Sequence, residues 1–554
     1  MPTASGAIKE VSATIERWAR WDDGARQRMN ATWRDLLNRY PTLEGSGVEV
    51  CVEAVFGDRV VRVSTGPVKA TSGVTGELVA FSPELAGDEL EIEHSISLDG
   101  QQASARSVGL TIPGDLVRPW DLISRGRSLG GIAEISLLTD GMDYDNRFVL
   151  IRGDLLSPSF GVNREPVTTT LTDPRTSDSR ITPEVVADAT RWPSIGNGAV
   201  GKRYPLLLNG FDRVPCLPVY SVVPSPGKWL LCSGRSFGTP TVYVNGVAKA
   251  AGDGTYPWSK VETVDALGEP VVLIDFTSGV ATWADNDVVH ASITSSDASQ
   301  SVVNAILDLL RGHTAFGSLG LNPDLFAEAE IRMPAWTPRA MLNSSGEKAV
   351  RAIDFVEGEL LPSFPMLRMV YEGRGLGPVV VDRFAAPAGS LTAREFPLRE
   401  RVGAIDETSK ADLYNEFEIR YSYDLIANDY TKIKRFDASN SAACRLSQSK
   451  QFVGDVRAKT PIESQVITTD NVAEGVLSWL VSHFALPSYT VQWTADPWLF
   501  FRYRRGQNVL YTDEQIGFSN APATIEGLSF SRRAVRVTLR VWHPFWSLAM
   551  SGRA

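Results

Sequence analysis

The 554-residue sequence is poor in cysteine. Only Cys51, Cys216, Cys232 and Cys444 are present, and no two form a CxxC pair. That removes a disulfide framework and a thiolate metal cluster from the reading and leaves reduced, buried thiols as the plain expectation. Spacing leaves open whether Cys216 and Cys232 meet across a hairpin. Histidine is equally sparse. His94, His290, His313, His483 and His543 show no HxxxH or HxH spacing, which argues against zinc. Long apolar runs are missing too: none approaches the ~20 residues of a membrane helix. Residues 1–40, rich in Arg, Glu and Asp, lack the apolar stretch of a secretion signal. The expectation is a protein made and assembled in the cytoplasm, with no stable membrane anchor. Positive charge is also short, with 55 Lys and Arg against 65 Asp and Glu for a net charge of -10. A protein that wraps or reads nucleic acid normally carries a basic stripe. An acidic wall past which DNA slides remains compatible.

Ordinary globular composition is what the chain does have. Hydrophobic residues at 43% and charged residues at 22% exclude disorder as the bulk reading. The length predicts three or four domains. Over residues 4–40, Ile8, Val11, Ile15 and Trp18, then Met29, Trp33, Leu36, Leu37 and Tyr40, fall at helical spacing. Gly24 divides the run and Pro41 ends it. Mixed charge on the other face predicts an arm that docks on protein.

From Val48 the period becomes two. Val48, Val50, Val52, Val61 and Val63 predict strands, as do Ile92 to Leu98 ahead of Asp99-Gly100, Ile132 to Leu138, and Arg147 to Leu155. Asp115 to Ser128 has room for a short helix. Residues 157–220, rich in Pro, Gly, Asp and Thr, read as a long irregular connection. Asn245-Gly246, between Thr241 and Val247, predicts a two-residue hairpin turn. With strands at Val271 to Phe276 and Val288 to Ile293, it makes a small β module. Helices are expected over 299–311 and around Val350 to Leu360, then a hairpin through Gly373 to Gly377. In the last domain, Phe417, Ile419, Tyr421 and Tyr423 share a strand face. A helix capped by Asp470 or Asn471, with Glu474 near the capping-box position, buries Val472, Val476, Trp479, Leu480 and Phe484. Val535, Val537, Leu539 and Val541 oppose Arg536, Thr538 and Arg540. The first and last domains share a plan of strands, one helix, then strands, with no residue-level repeat.

The expected class is α+β, mainly β, and multidomain. It comprises an N-terminal helical arm (1–45), a first tube-like β domain (46–160), an irregular connection with a small β module (161–298), an α+β domain (299–400) and a second tube-like β domain (401–554).

No pattern with chemistry in it survives weighing. Asp140, Asp143 and Asp145 lie in a turn-forming run, and an EF-hand loop would need a closing Glu that is missing. Gly126 to Gly131 lacks the Lys-Ser/Thr of a phosphate loop. Ser233, Ser447 and Ser449 sit in no G-x-S-x-G elbow. Arg502, Arg504 and Arg505, interleaved with Phe500, Phe501 and Tyr503, have the composition of a single-strand nucleic-acid platform. Given the acidic whole, they read instead as a strand with aromatics in the core and arginines outward. No catalytic, metal or cofactor residue is assigned, and no cofactor is expected.

The order of features across roughly 46–550 resembles the tail hub (tail tip, baseplate hub) proteins of long-tailed bacteriophages and gene transfer agents. The resemblance rests on Phe148 to Leu156, Gly161 to Val167, Gly201 to Gly210, Asn415 to Tyr423, Cys444 to Ser449, Phe452-Val453-Gly454, Gly506 to Val509 and the terminal strand to Trp542. It implies a structural virion protein without enzymatic activity. The expected form is a homotrimer whose two tube-like domains per chain give a pseudo-sixfold ring. Implied partners are the distal tail protein or tail tube rings, the tape measure protein, and a central fibre or other baseplate proteins, with DNA passing transiently. The implied place is the virion tail tip, assembled in the host cytoplasm. A virion receptor-binding or carbohydrate-binding protein, using 14 Trp and 14 Tyr as stacking faces, is the alternative. A glycan-cleaving enzyme using Asp143 and Asp145 is a third.

Overall fold

The computed structural model describes residues 46–56, 59–85, 92–95, 107–112, 131–156, 159–160, 167–173, 175, 178–222, 225–234, 238–276, 287–293, 300–316, 320–342, 350–373, 375–531 and 534–543. The helices expected over 4–40 and 115–128, the Asp99-Gly100 turn, Gly126 to Gly130 and residues 161–166 lie outside them.

The chain is mainly β, in several sheets with few helices. Its first large sheet has seven strands. From one edge the order is Arg59–Ser64, Val48–Phe56, Gly131–Thr139, Phe148–Leu155, Val167–Thr172 and Ser107–Ile112, with Ser159–Phe160 alongside Val167–Thr172. Neighbours run antiparallel. Valine and isoleucine at alternate positions favour this pleated, packed surface. The segment expected to be irregular from 157 therefore supplies a strand to this sheet. Its threonines at 168, 169, 170 and 172 gave a turn-like composition, yet Thr is β-branched and suits a strand. The later stretch 183–205 does lack strands.

Residues 206–293 form the small β module, with two four-stranded sheets around Trp229, Cys232, Val242 and Ile274. The Asn245-Gly246 turn is where expected, with φ of 50° and 80°, the left-handed values a two-residue hairpin needs.

Helix α1, Val302–His313, is capped by Ser301, whose Oγ accepts from Asn304 N–H at 3.2 Å. Helix α2, Pro323–Arg332, went unread in the sequence, although Asn322-Pro323 carries a cap residue followed by proline at the first helical position. Helix α3 spans 352–363 and widens to a π turn over Val356–Leu360. Pro362 cannot donate a backbone N–H, so the regular ladder cannot continue through it. The hairpin Leu367–Glu372 with Gly375–Val380 follows, nearly all buried.

The C-terminal sheet has eight strands. Six form the path Ser390–Thr392, Asn508–Asp513, Phe518–Phe530, Val535–Trp542, Ser488–Ala495 and Leu398–Arg401, with Asp406–Glu407 beside Ser488–Ala495. The eighth, Ile92–Ser95, comes from the first third of the chain and pairs with residues 527–530. Phe417–Asp424 lies in a separate three-stranded sheet with Asp429–Phe436 and Ile462–Glu463. Helix α4, Ala442–Ser447, follows. Helix α5, Asp470–Phe484, packs on the Phe417–Asp424 hairpin. Its cap is Thr469, without a side-chain bond, in place of the expected Asp470 or Asn471. The two carboxylates of this turn are used elsewhere: Asp470 accepts from Tyr421 Oη at 3.1 Å and Lys432 Nζ at 2.7 Å, and Glu474 pairs with Lys434 at 2.7 Å.

Val535, Val537, Leu539 and Val541 are fully buried, and Arg536 opposite them is exposed. Val537 sits between Trp493 and Leu528. Val537→Asp removes about 1.5–3 kcal/mol of apolar burial and adds an unpaired buried carboxylate. The expected outcome is loss of soluble folded protein, checked by the soluble fraction and circular dichroism; Val537→Ile should remain soluble and folded.

Candidate functional site

A row of charges crosses the first sheet. Register places Arg62 opposite Glu53, Glu53 opposite Glu134, and Glu134 opposite Arg152, on four adjacent strands. Two like charges directly opposed destabilise a sheet, so their counter-ions must be close. Arg62 Nε donates to Glu53 Oε1 at 2.7 Å, and Tyr144 Oη donates to Glu53 Oε2 at 2.5 Å. Arg147 Nε donates to Glu134 Oε1 at 2.5 Å, and Arg152 Nε to Glu134 Oε2 at 2.9 Å. The Arg147 guanidinium lies 4.2 Å from the Tyr144 ring centre. Glu53, Glu134, Tyr144 and Arg147 are all at most 2% exposed. Burial works against the Glu134 charge, but Arg147 and Arg152 prevail and hold its carboxyl down to about 2. Burial, with Glu53 adjacent, keeps the Tyr144 phenol protonated.

The row lies beside the Asp140 to Asp145 run, expected as a turn, whose carboxylates form a clasp. Asp140 Oδ1 accepts from Lys69 N–H at 2.8 Å, Asp143 Oδ1 from Gly73 N–H at 2.8 Å, and Asp145 Oδ2 from Ser72 Oγ at 2.7 Å and Val74 N–H at 3.1 Å. These carboxylates hold the Val68–Thr71 and Leu78–Phe81 hairpin onto the sheet. Among the described residues no group of three His, Cys, Asp or Glu side chains is arranged to hold a metal.

Among the described residues, four seams are prominent where the parts join. At the first, Gly373 N–H donates to Leu150 O at 3.1 Å, and Arg175 links Asp173 to Glu357. At the second, Arg505 donates to Tyr371 O at 2.9 Å and pairs with Glu372 at 3.1 Å. There the Asn508 amide donates to Asp382 O at 2.7 Å and Ala385 O at 2.9 Å. At the third, the Asn209 amide donates to Gln300 O and Pro338 O, both at 2.9 Å, while its oxygen accepts from Gln300 N–H at 2.8 Å. The fourth is the strand Ile92–Ser95, which carries the first β unit into the C-terminal sheet. Asn415, likewise buried, donates to Asp455 O at 2.9 Å and accepts from Arg457 N–H at 2.8 Å.

The arginine-aromatic run differs from expectation. It is a short helix α6, Trp498–Arg502, followed by a turn, not a strand. Phe500 and Tyr503 are buried, and Phe501 packs edge-on against Phe148 of the first sheet at 4.6 Å. Arg502 and Arg504 are exposed, but Arg505 is buried in the second seam. Ser447 is buried in α4, and Ser233 ends the strand Ser225–Ser233. All four cysteines are buried free thiols. On the outer face of the C-terminal sheet, Arg540 pairs with Glu526 at 2.8 Å, so Arg536 is the cation of this strand that faces outward unmasked.

No family model and no curated protein matches the chain. Among solved structures it is similar to a tail protein from Neisseria meningitidis MC58, at 10% identity and TM-score 0.35 over 90% of this chain and 97% of that one. It is also similar to the prophage MuSo2 43 kDa tail protein from Shewanella oneidensis, at 11% identity and TM-score 0.36 over 90% of this chain and 98% of that one. A chain of the virion of a native gene transfer agent particle is similar at 9% identity and TM-score 0.39, over 65% of this chain and 89% of that one. The structural neighbours are phage tail and virion proteins, at scores too low to carry fold or function across by themselves.

Glu134→Gln leaves Arg147 and Arg152 buried without their shared counter-ion, at a cost of about 3–5 kcal/mol near neutral pH. The wild-type carboxyl titrates below its unfolded value, so its contribution is present above about pH 4.5 and is lost as pH falls toward 2. Urea unfolding of both proteins should show a gap that is constant above pH 5 and shrinks toward pH 2. A gap independent of pH would show that the charge is not the source.

Proposed function

We propose that the chain is a structural protein of a bacteriophage tail tip. In this reading it is a trimeric hub that closes or continues the tail tube, anchors tail-tip proteins and forms part of the DNA ejection channel. The observation that carries the reading is the strand Ile92–Ser95. It belongs in sequence to the first β unit but is hydrogen-bonded into the C-terminal sheet. Two β units are thereby tied side by side within one chain, and three such chains supply six units to a ring. A hexameric tube needs that number at its end. The feature order that resembles tail hubs points the same way.

Sheet edges support assembly through matched surfaces. The C-terminal sheet ends on the three-residue strand Ser390–Thr392 and on the short, bulged Leu398–Arg401. Short and irregular edges resist uncontrolled pairing. A net charge of -10 keeps DNA from adhering to a conduit wall. The proposed partners are the distal tail protein or tube rings, the tape measure protein and a central fibre or other baseplate proteins. The proposed place is the virion, after assembly in the host cytoplasm. The chain in this reading performs no catalysis; Asp143 and Asp145 serve the hairpin clasp.

Native mass measurement and low-resolution imaging of the purified chain test the proposal, with three copies and a three-lobed ring around an opening expected. A monomer in solution, together with a copy number other than three in tail tips, would overturn it. Arg536→Glu should leave the monomer's unfolding temperature unchanged and reduce ring formation at least tenfold if that face meets a neighbour.

A further inference from the structure

A groove of about 560 Å³ opens along the exposed side of α5. Trp336, Met366 and Trp479 line it, with the half-exposed Phe384 at its mouth. The helix face it follows is made of small residues: Gly475, Ser478 and Ser482 succeed one another at helical spacing. Gly475 is required there, because a Cβ would fall 2.3 Å from the Trp336 indole. Trp479 is held in place by its indole N–H, which donates to Val381 O at 2.7 Å. The volume falls within the roughly 300–1,000 Å³ of sites that enclose apolar ligands. Asp382 and Glu474 stand on the rim, and Arg332 marks one end. A trough of small helix residues between aromatic walls suits bulky side chains presented by a second helix at three- and four-residue spacing.

The chain contains a segment with those properties. Residues 1–40 carry Ile8, Val11, Ile15 and Trp18, then Met29, Trp33, Leu36 and Tyr40, at helical spacing. They hold seven basic residues against five acidic ones. With -10 on the whole, that +2 leaves -12 on residues 41–554. Arg17 and Arg20 flank Trp18, and Arg34 adjoins Trp33. An apolar ring with a neighbouring guanidinium matches an apolar groove with Asp382 at its edge and Glu474, already paired with Lys434, beside it. Forty residues reach about 60 Å as a helix, comparable with the diameter of a folded body of this size. A tethered segment also meets its site at roughly millimolar effective concentration.

We infer that the N-terminal arm of each chain occupies this groove on the same chain, seating apolar side chains of residues 4–40 on α5 between Trp336 and Phe384. The inference stands apart from the hub reading, since it concerns one chain and is read on one chain. The test places a benzophenone photo-crosslinking side chain at position 384 of the full-length protein, prepared as an equal mixture of light and heavy nitrogen isotopes. With the two preparations unfolded, mixed and refolded together, cross-links to residues 4–40 without light–heavy pairs are expected. Cross-links to any other segment, light–heavy pairs making up about half of the links, or no links at all would overturn it. A second measurement uses Ser478→Trp, which fills the groove from the helix side. Tryptic cleavage after Arg17, Arg20, Arg26 and Arg28 should become at least tenfold faster with the unfolding temperature of the body unchanged; an unchanged cleavage rate would overturn the inference. Neither readout counts subunits, so either result leaves the ring stoichiometry to be decided on its own.

Discussion

Glu134, closed from water between Arg147 and Arg152, is the constraint on which the other parts depend. A buried carboxylate is tolerable only where its counter-ions are fixed, and here they are fixed by register: Glu134 stands opposite both Glu53 and Arg152. A slip of one residue would turn every charge in the row to the other face of the sheet. The row therefore specifies one alignment of four strands, including Phe148–Leu155. That strand receives Gly373 of the buried hairpin, the hairpin presents Tyr371 O and Glu372 to Arg505, and Arg505 leads into the C-terminal sheet. Named bonds thus connect the first sheet to the last.

Much of this was legible in the sequence wherever one signal dominated. The valine alternation at 48–52 and 535–541, the Asn245-Gly246 turn and the apolar stripe of α5 are local patterns, and local patterns gave the right elements. Composition misled where two signals competed. Thr168 to Thr172 lies among turn residues whose composition predicts a loop, although branching at Cβ favours a strand. Phe500 to Arg505 alternates like a strand, but Pro497 opens a short helix there and the alternation is consumed by a turn. Arg505 shows why side-chain type alone does not place a residue: a guanidinium with a carboxylate and a carbonyl waiting for it can lie wholly inside.

What the sequence could not reveal was long-range pairing. Ile92 to Leu98 reads as a strand ahead of the Asp99-Gly100 turn, and nothing local announces that Ile92–Ser95 also pairs with residues more than four hundred positions away, at 527–530. Alternation says that a strand exists and which face is buried, and nothing about its neighbour. The buried charge row has the same character. Glu53, Glu134, Tyr144, Arg147 and Arg152 are unremarkable singly, and their meeting is a property of the sheet. The motifs Gly201 to Gly210 and Gly506 to Val509 proved informative for a different reason, since each contains an asparagine that clamps backbone carbonyls at a seam.

Asn209 carries one further consequence, for ageing. An asparagine followed by glycine loses its amide as ammonia when the next backbone nitrogen attacks the side-chain carbonyl carbon; water then opens the cyclic imide, mainly to isoaspartate, with the main chain rerouted through the side chain, and to a lesser extent to aspartate. In this seam the amide nitrogen faces two carbonyl oxygens, Gln300 O and Pro338 O, and the side-chain oxygen is engaged by Gln300 N–H. Either product lacks the amide donor that joins the β module to the helical domain. The same bonds restrain the side chain, with Asn209 8% exposed and Gly210 packed against Ile293. The seam thus shelters an Asn-Gly pair that would be far more perishable in an exposed turn, such as those at Asn197-Gly198 and Asn245-Gly246.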